Sequence, residues 1–307
     1  MIFAEKLEIV ALPPFRFDLS AEIFANGDRQ IRAYEKGMFR QIIRADGKLI
    51  LVTVESAGTV DKPKLSAEFR SDRELTQKDK KKAEGAISVL FNLNFYLAPF
   101  YEQVKADKIM ACITQKLRGL KSSTTQTVFE ALIDSIVEQQ ISLKVANGIE
   151  KKLIKKFGDT LGVEGEVYYA YPTPQKLASA SSEELRQCGL SVRKAEYLKG
   201  VSKLVADGKL DVEKLKNYDS ADEIIRELDR GRGVGVWTAE LTMLRGMQRL
   251  ETLPADDLGL RRTISYYYCN GKMITPAETR QIAKGWGKWK GLAAYYLVIA
   301  EMLGTEP

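Results

Sequence analysis

The stretch Gly231-Arg-Gly-Val-Gly-Val-Trp-Thr-Ala-Glu240 lies between two helical patterns, Ala221 to Leu228 and Val236 to Gly246, and leaves the chain little choice but a tight reversal. Gly233 and Gly235 are free to take positive φ, and neither carries a side chain that would hold a ligand away from the backbone. A hairpin between two helices is the expected result. The first amides of the second helix then point outward without intrahelical partners, and with the positive end of the helix dipole they suit a phosphate. A short gap later, Leu253-Pro-Ala-Asp-Asp-Leu-Gly-Leu-Arg-Arg262 delivers two carboxylates, Asp256 and Asp257, to the start of the next helix. An aspartate there also fits a plain N-cap, worth roughly 1 kcal/mol.

At 307 residues, 45% of them hydrophobic, the chain can bury two or three domain cores. Its net charge of +6 fits a polyanionic partner such as nucleic acid, although an excess of this size is also common in ordinary soluble proteins. There is no histidine, which excludes His-ligated zinc, a Ser-His-Asp triad and a histidine general base by inventory. Acid-base chemistry is left to carboxylates, lysines, tyrosines or cysteines. Cys112, Cys188 and Cys269 are odd in number and far apart, so neither a disulfide framework nor a Cys-rich metal site is indicated. The opening Met-Ile-Phe-Ala-Glu-Lys is charged too early for a signal peptide, and no apolar run reaches membrane-spanning length. A soluble, intracellular, unprocessed protein is expected.

The pattern from Phe15 to Phe69 reads as strands: Phe15 to Phe24, Ile31 to Arg44 with a Gly interruption, Lys48 to Glu55, and Lys64 to Phe69. Asn26-Gly27 and Asp46-Gly47 are hairpin signals between them. Leu75 to Asn92 has helical spacing, and its lysines 80 to 82 read as a solvated face. Phe91 to Tyr101 is dense in aromatics and suits a core seam. Beyond it nearly every segment is helical. Apolar spacing from Phe129 to Phe157 is broken at Gln139-Gln140-Ile141-Ser142, where two helices meet. Helix starts follow at Tyr171-Pro-Thr-Pro174, Ser181 and Gly189-Leu-Ser-Val-Arg193, and further helices at Leu258 to Tyr268, Pro276 to Ile282 and Leu292 to Leu303. Arg193 and Lys194 sit in a first helical turn, where cations oppose the dipole; a nearby phosphate would explain them, and so would chance.

The fold class is therefore mostly α with an N-terminal α+β domain, an antiparallel sheet domain followed by two helical lobes. The expected division is 1–92 for the sheet and its helix, 126–233 for a central lobe leading into the hairpin, and 93–125 with 234–307 for a second lobe.

Gly-Val-Gly-Val-Trp-Thr-Ala followed by Leu-Pro-Ala-Asp-Asp-Leu-Gly-Leu-Arg-Arg strongly resembles the helix-hairpin-helix (HhH-GPD) base-excision DNA glycosylases, in particular the 3-methyladenine DNA glycosylase II (AlkA) branch. Phe95-Tyr-Leu-Ala-Pro-Phe-Tyr101, Leu117-Arg-Gly-Leu120, Phe129-Glu-Ala-Leu132, Gln139-Gln-Ile-Ser142, Tyr171-Pro-Thr-Pro174, Ser191-Val-Arg-Lys-Ala195 and Trp286-Gly-Lys-Trp289 extend the likeness in the family's order. The resemblance implies a monomeric enzyme acting on double-stranded DNA that contains a damaged base, flipped out into a cleft between the lobes. Asp257 matches the family's catalytic aspartate, with Leu260 three and Arg262 five positions on; Asp256 does not meet that frame. A fixed anion there stabilises the oxocarbenium-like sugar as the N-glycosidic bond breaks.

In the same way the hairpin, with Gly231, Gly233, Val234, Gly235 and Thr238, is implied to hold DNA, joined by Arg193 and Lys194. Gln140 falls at the family's wedge into the vacated base position, with Gln139 as the neighbouring candidate. Bifunctional relatives carry a nucleophilic lysine where this chain has Trp237, so water is the expected nucleophile. Trp237 also matches an aromatic of the base pocket, where a cation–π preference of roughly 0.5 to 2 kcal/mol favours alkylated bases; core packing is the competing role. The branch's final-helix aromatic is replaced by Val298 and a proline by Lys288, which points to a pocket rebuilt around Tyr295, Tyr296 or Phe95. No cofactor is called for, and three scattered cysteines cannot hold the four-cysteine cluster of some relatives; a structural monovalent cation at the hairpin is compatible with the family. The expected substrate is an alkylated purine such as 3-methyladenine. Hypoxanthine, an oxidised purine, or a DNA-binding role without catalysis are the alternatives.

Overall fold

The structure is a computed structural model, and it describes residues 2–306. Five antiparallel strands, β1 (Phe3–Val10), β2 (Arg32–Glu35), β3 (Met38–Ala45), β4 (Lys48–Ser56) and β5 (Lys64–Ser71), pair in the order β1-β5-β4-β3-β2. Alternate residues such as Phe39 and Ile43 of β3, Val52 and Val54 of β4, and Phe69 of β5 point into a core against α1 (Phe17–Phe24) and α2 (Gln77–Leu90). Ile42 and Leu51, on the opposite face, are covered by a second hairpin, β6 (Thr160–Val163) and β7 (Glu166–Tyr169), through Leu161, Val163 and Tyr168. Burial on both faces explains the continuous apolar run Leu49-Ile-Leu-Val52 in β4, the central strand.

The N-terminal reading needs three corrections. Phe15 to Phe24 is not a strand: residues 17–24 form α1, because Phe17, Ser20, Ala21 and Phe24 repeat at helical spacing while residues 15, 17, 19, 21 and 23 also alternate. Packing decides between the two periods, with Phe24 stacked on Phe39 and Phe17 set edge-on to Phe91. The fifth strand is instead β1, an edge strand whose Glu5, Lys6 and Glu8 hid its alternation. Asn26-Gly27 turns the chain from α1 towards β2, whereas the β2–β3 hairpin is made by Lys36-Gly37, both at positive φ. Asp46 (φ 47°) and Gly47 (φ 75°) form the β3–β4 hairpin as their residue types predict.

Helices then follow one another: α3 (Ala98–Val104), α4 (Lys108–Lys116), α5 (Val128–Glu138), α6 (Leu143–Phe157), α7 (Pro174–Ser179), α8 (Ser182–Gln187), α9 (Val192–Ala206), α10 (Ala221–Asp229), α11 (Val236–Met247), α12 (Leu258–Tyr268), α13 (Pro276–Ala283) and α14 (Lys290–Met302). They enclose two cores. The central one is built on Phe129, Leu132 and Ile136 of α5, Leu198 of α9 and Ala239 and Met243 of α11. The other joins Phe100, Ile113 and Ile264 to Tyr296 and Leu297 of α14. Because α11 fills the central core, a division at 233/234 would run through that core. Its antiparallel run beside α5 is close: a Cβ on Gly246 would lie 2.9 Å from the Ala131 side chain.

Segment 117–127 returns the chain from α4 to α5 and is fastened by Lys121, which is fully buried. Its ammonium donates to the Leu12 and Leu93 carbonyls, each at 2.9 Å, beside the Phe15 ring. Burial pushes its pKa down to about 8.

Candidate active site

The hairpin's glycines serve three separate purposes. A Cβ on Gly231 would meet Val201 at 2.8 Å, so this position packs against α9. Gly233 has φ +89°, and a Cβ there would be 2.2 Å from the Tyr197 ring. Gly235 departs from the expectation of positive φ: at φ −85° and ψ −176° it is extended, a conformation open to any residue. It is the N-cap of α11 without a capping side chain, and a Cβ on it would find nothing within 4 Å. Neither backbone nor packing requires glycine here, and the absence of a side chain leaves the first amides of α11 open to an outside group. Between the glycines, buried Val234 pins the turn into the central core.

Gln139 and Gln140 separate cleanly. The Gln139 amide donates to the Gly233 carbonyl at 2.8 Å and to the Thr238 hydroxyl at 2.9 Å, tying the end of α5 to the hairpin. Gln140 is exposed and at φ +57°, an uncommon state for a side-chain-bearing residue, and stands out beyond that tie. Lys194 has a different task from the one expected. Its ammonium donates to the Val137 carbonyl at 2.8 Å, closing the C-terminal end of α5, and burial lowers its pKa. Arg193 remains exposed. Two helix starts are thus tied to the end of α5, α9 through Lys194 and α11 through Thr238, and α11 is tied in turn to the start of α12 through Trp237.

The two aspartates also differ. Asp257 is half-buried and caps α12, its Oδ1 accepting the Leu260 amide at 2.7 Å. Its Oδ2 accepts the Trp237 indole N–H at 3.0 Å. Capping and an oriented carboxylate therefore coexist, one oxygen serving each partner. Asp256 is exposed, with its nearest cation, Arg280, at 3.7 Å.

Among the aromatics, Tyr296 must be withdrawn from the pocket. It is fully buried, with its hydroxyl donating to the Leu120 carbonyl at 2.6 Å and 3.2 Å from the Tyr101 hydroxyl, so it is a strut of the core. Tyr295, the next residue back, is half-buried, and burial raises its phenol pKa. Phe95 is half-buried and edge-on to Trp289 at 5.8 Å. A cavity of about 330 Å³, lined by Arg44, Phe129, Glu130, Tyr171 and Glu213 among others, contains none of these residues.

Two polar groupings went unread in the sequence. Glu240 and Arg280 pair at 3.2 Å beside the Leu253–Asp257 turn; the signal was an acid inside an otherwise buried stretch of α11. Arg32 donates to Glu150 at 3.1 Å, close to Asp134 and Tyr171, joining the sheet domain to α5 and α6 across 118 positions, which no local pattern reveals.

Comparison with known proteins identifies the family and the fold. Residues 133–288 match the family model described as HhH-GPD superfamily base excision DNA repair protein. The chain is 28% identical over 293 residues to a DNA-3-methyladenine glycosylase of Bacillus subtilis, covering 94% of this chain and 95% of that one. Its fold is similar to the solved 3-methyladenine DNA-glycosylase from Archaeoglobus fulgidus, at 25% identity and a TM-score of 0.85, over 97% and 98% of the two chains. It also shares the fold of a Clostridium acetobutylicum 8-oxoguanine glycosylase/lyase solved with double-stranded DNA, at 20% identity and a TM-score of 0.76, over 99% and 98%.

Proposed function

The chain belongs to the HhH-GPD superfamily of base excision DNA repair proteins, and from that premise we propose that it is a monofunctional DNA glycosylase hydrolysing the N-glycosidic bond of flipped-out alkylated purines. The observation that carries the reading is the Asp257 carboxylate, held by Trp237 and Leu260 at the head of α12 and linked through α11 to the hairpin. The hairpin and neighbouring helix starts take DNA phosphates, with Gly235 as the point of closest approach. Gln140 enters the space left by the flipped nucleotide, and Gln139 holds it in register with the hairpin.

As the base departs with the bonding electrons, positive charge grows on the sugar and Asp257 stabilises it; water adds to C1′ and loses a proton, leaving an abasic site. A base already carrying an alkyl-derived positive charge leaves neutral and needs no general acid, which suits a site built without histidine. Trp237 stands at the position where an amine would attack the sugar, and its indole N–H is engaged by Asp257. Trp237 and Tyr295 are the rings that line the base pocket in this reading, with Phe95 at its edge. The protein works as a monomer, in the compartment that holds the genome; among the described residues no helix is long and apolar enough to cross a membrane.

Incubation with duplex oligonucleotides that each carry one lesion, followed by alkaline cleavage, tests the function. Cleavage at 3-methyladenine or 7-methylguanine sites is expected. Preference for hypoxanthine or an oxidised purine would reassign the substrate, and no cleavage with any lesion would leave only DNA binding.

A further inference from the structure

The turn that ends in Asp257 is tied to α11 at both ends, directly at Asp257 and through Arg280 of α13 at Leu253. At its far end Trp237 donates to Asp257. One helical turn further along α11, Glu240 is only 6% exposed, and its Oε1 accepts one guanidinium amino group of Arg280 at 3.2 Å. The same amino group donates to the carbonyl of Leu253, the first residue of the turn, at 3.1 Å. The other amino group lies 3.7 Å from Asp256. Leu253 and Ala255 are buried, and Asp257 returns its own amide to the Pro254 carbonyl at 2.9 Å, so the turn is a short, stiff unit. Among the described residues Glu240 Oε2 is buried with no hydrogen-bond partner, and no other salt bridge reaches this carboxylate. An ionised group kept in that condition is costly; Arg280 is the cation in contact that offsets it, with a weaker attraction from Lys290 farther off.

We propose that Arg280, anchored on Glu240, is a positioning residue that fixes the start of the 253–257 turn and so sets the direction of the Asp257 carboxylate. The inference rests on Asp257 acting as the stabilising anion. Displacements of about an ångström away from the reacting atoms can cost about a hundredfold in rate, so the clamp acts on excision rather than on grip. Among the described residues the hydrogen bonds and ion pairs of Arg280 go to Glu240, Leu253 and Asp256, and none to residues 231–238 or to Gln140.

The test separates positioning from folding by removing the buried charge along with its partner. Arg280→Met leaves Glu240 unpaired and is expected to lower the melting temperature; Glu240→Gln/Arg280→Met removes that charge and restores most of it. Single-turnover excision is expected to fall about 10- to 100-fold in both, with affinity for lesion-containing duplex retained. Arg280→Lys, able to keep one contact, loses less. The indole N–H resonance of Trp237, assigned by Trp237→Phe, shifts in both variants, while that of Trp286, which faces Asp107, stays in place. Excision that recovers together with the melting temperature would overturn the proposal, as would an unmoved Trp237 resonance. If the wild-type protein excises no base, the glycosylase reading fails, and the Trp237 resonance still decides whether Arg280 orients the turn.

Discussion

The Trp237 indole donates to Asp257 Oδ2 at 3.0 Å, so the helix that begins at the hairpin also sets the carboxylate at the start of α12. With Oδ1 on the Leu260 amide, both carboxylate oxygens are directed by the protein before any ligand arrives. Preorganisation of this kind costs no rearrangement when charge develops. Trp237→Phe keeps a ring of similar shape and loses the N–H. Single-turnover excision is expected to fall by about tenfold, corresponding to about 1.4 kcal/mol for one charge-assisted hydrogen bond. Unchanged excision would remove the indole from the orientation of Asp257.

If Trp237 stands where an attacking amine would, as the proposed function has it, borohydride added during base excision is expected to trap no covalent protein–DNA adduct. A robust adduct would show that another amine reaches C1′ and would overturn the monofunctional assignment.

The hairpin glycines Gly233 and Gly235 are expected to give opposite phenotypes when substituted. Gly233→Ala forces a Cβ into Tyr197 at positive φ, and a clear loss of melting temperature is expected. Gly235→Leu meets open space in an allowed conformation, so folding is expected to be unaffected. Its affinity for every duplex, damaged or not, is expected to fall, and titration at several salt concentrations measures it. Wild-type affinity in Gly235→Leu would detach the hairpin from DNA binding.

What the sequence made legible was local. The Gly-Val-Gly reversal, the break at Gln139–Ser142 and the helix caps at Ser181 and Asp257 are all written within a few residues. Segment 15–24 carried both periods at once, and only the rings waiting at Phe39 and Phe91 chose between them. Tyr295 and Tyr296 are adjacent on a helix that is apolar nearly all round; that the second is a strut follows from Leu120, 176 positions earlier. Lys194 was read as a first-turn cation waiting for a phosphate, or placed there by chance, because its acceptor, the Val137 carbonyl, belongs to another helix. Partners distant in sequence decided each of these cases.

The buried acids of α5 give the fold a pH dependence. Burial pushes the Glu130 carboxyl up to about 7, with Glu213 adding to the effect and the Gln126 amide and Arg32 opposing it; Asp134 is raised too, by burial and then by Glu150. The folded state therefore holds its protons to higher pH than the unfolded chain. The stability this gives is fully present below the unfolded value, 4.5 for a glutamate, and is lost as pH rises through about 7. Glu130→Gln keeps an acceptor for the Gln126 amide and removes the titration. Its melting temperature is expected to exceed that of the wild type at pH 8 and to match it near pH 4, a difference on the order of 2 to 3 kcal/mol. Parallel melting curves from pH 4 to 8 would contradict this.

The adjacent aspartates supply the sharpest test. Asp257→Asn keeps a side-chain oxygen for the Leu260 amide, and asparagine caps helices about as well as aspartate, so α12 is expected to form normally. What is lost is the negative charge that faces the sugar in the proposed mechanism. Removing a preorganised electrostatic contribution of this kind costs roughly 3 to 4 kcal/mol, about a hundred- to a thousandfold in single-turnover excision. Lesion-containing DNA is expected to bind nearly as well, because the hairpin and Gln140 are untouched. Asp256→Asn removes an exposed charge 3.7 Å from Arg280, a contact worth at most about 1 kcal/mol, and its excision rate is expected to stay far closer to wild type. Excision that survives in Asp257→Asn and collapses in Asp256→Asn would move the catalytic position by one residue. Two active variants would mean that neither carboxylate stabilises the sugar cation.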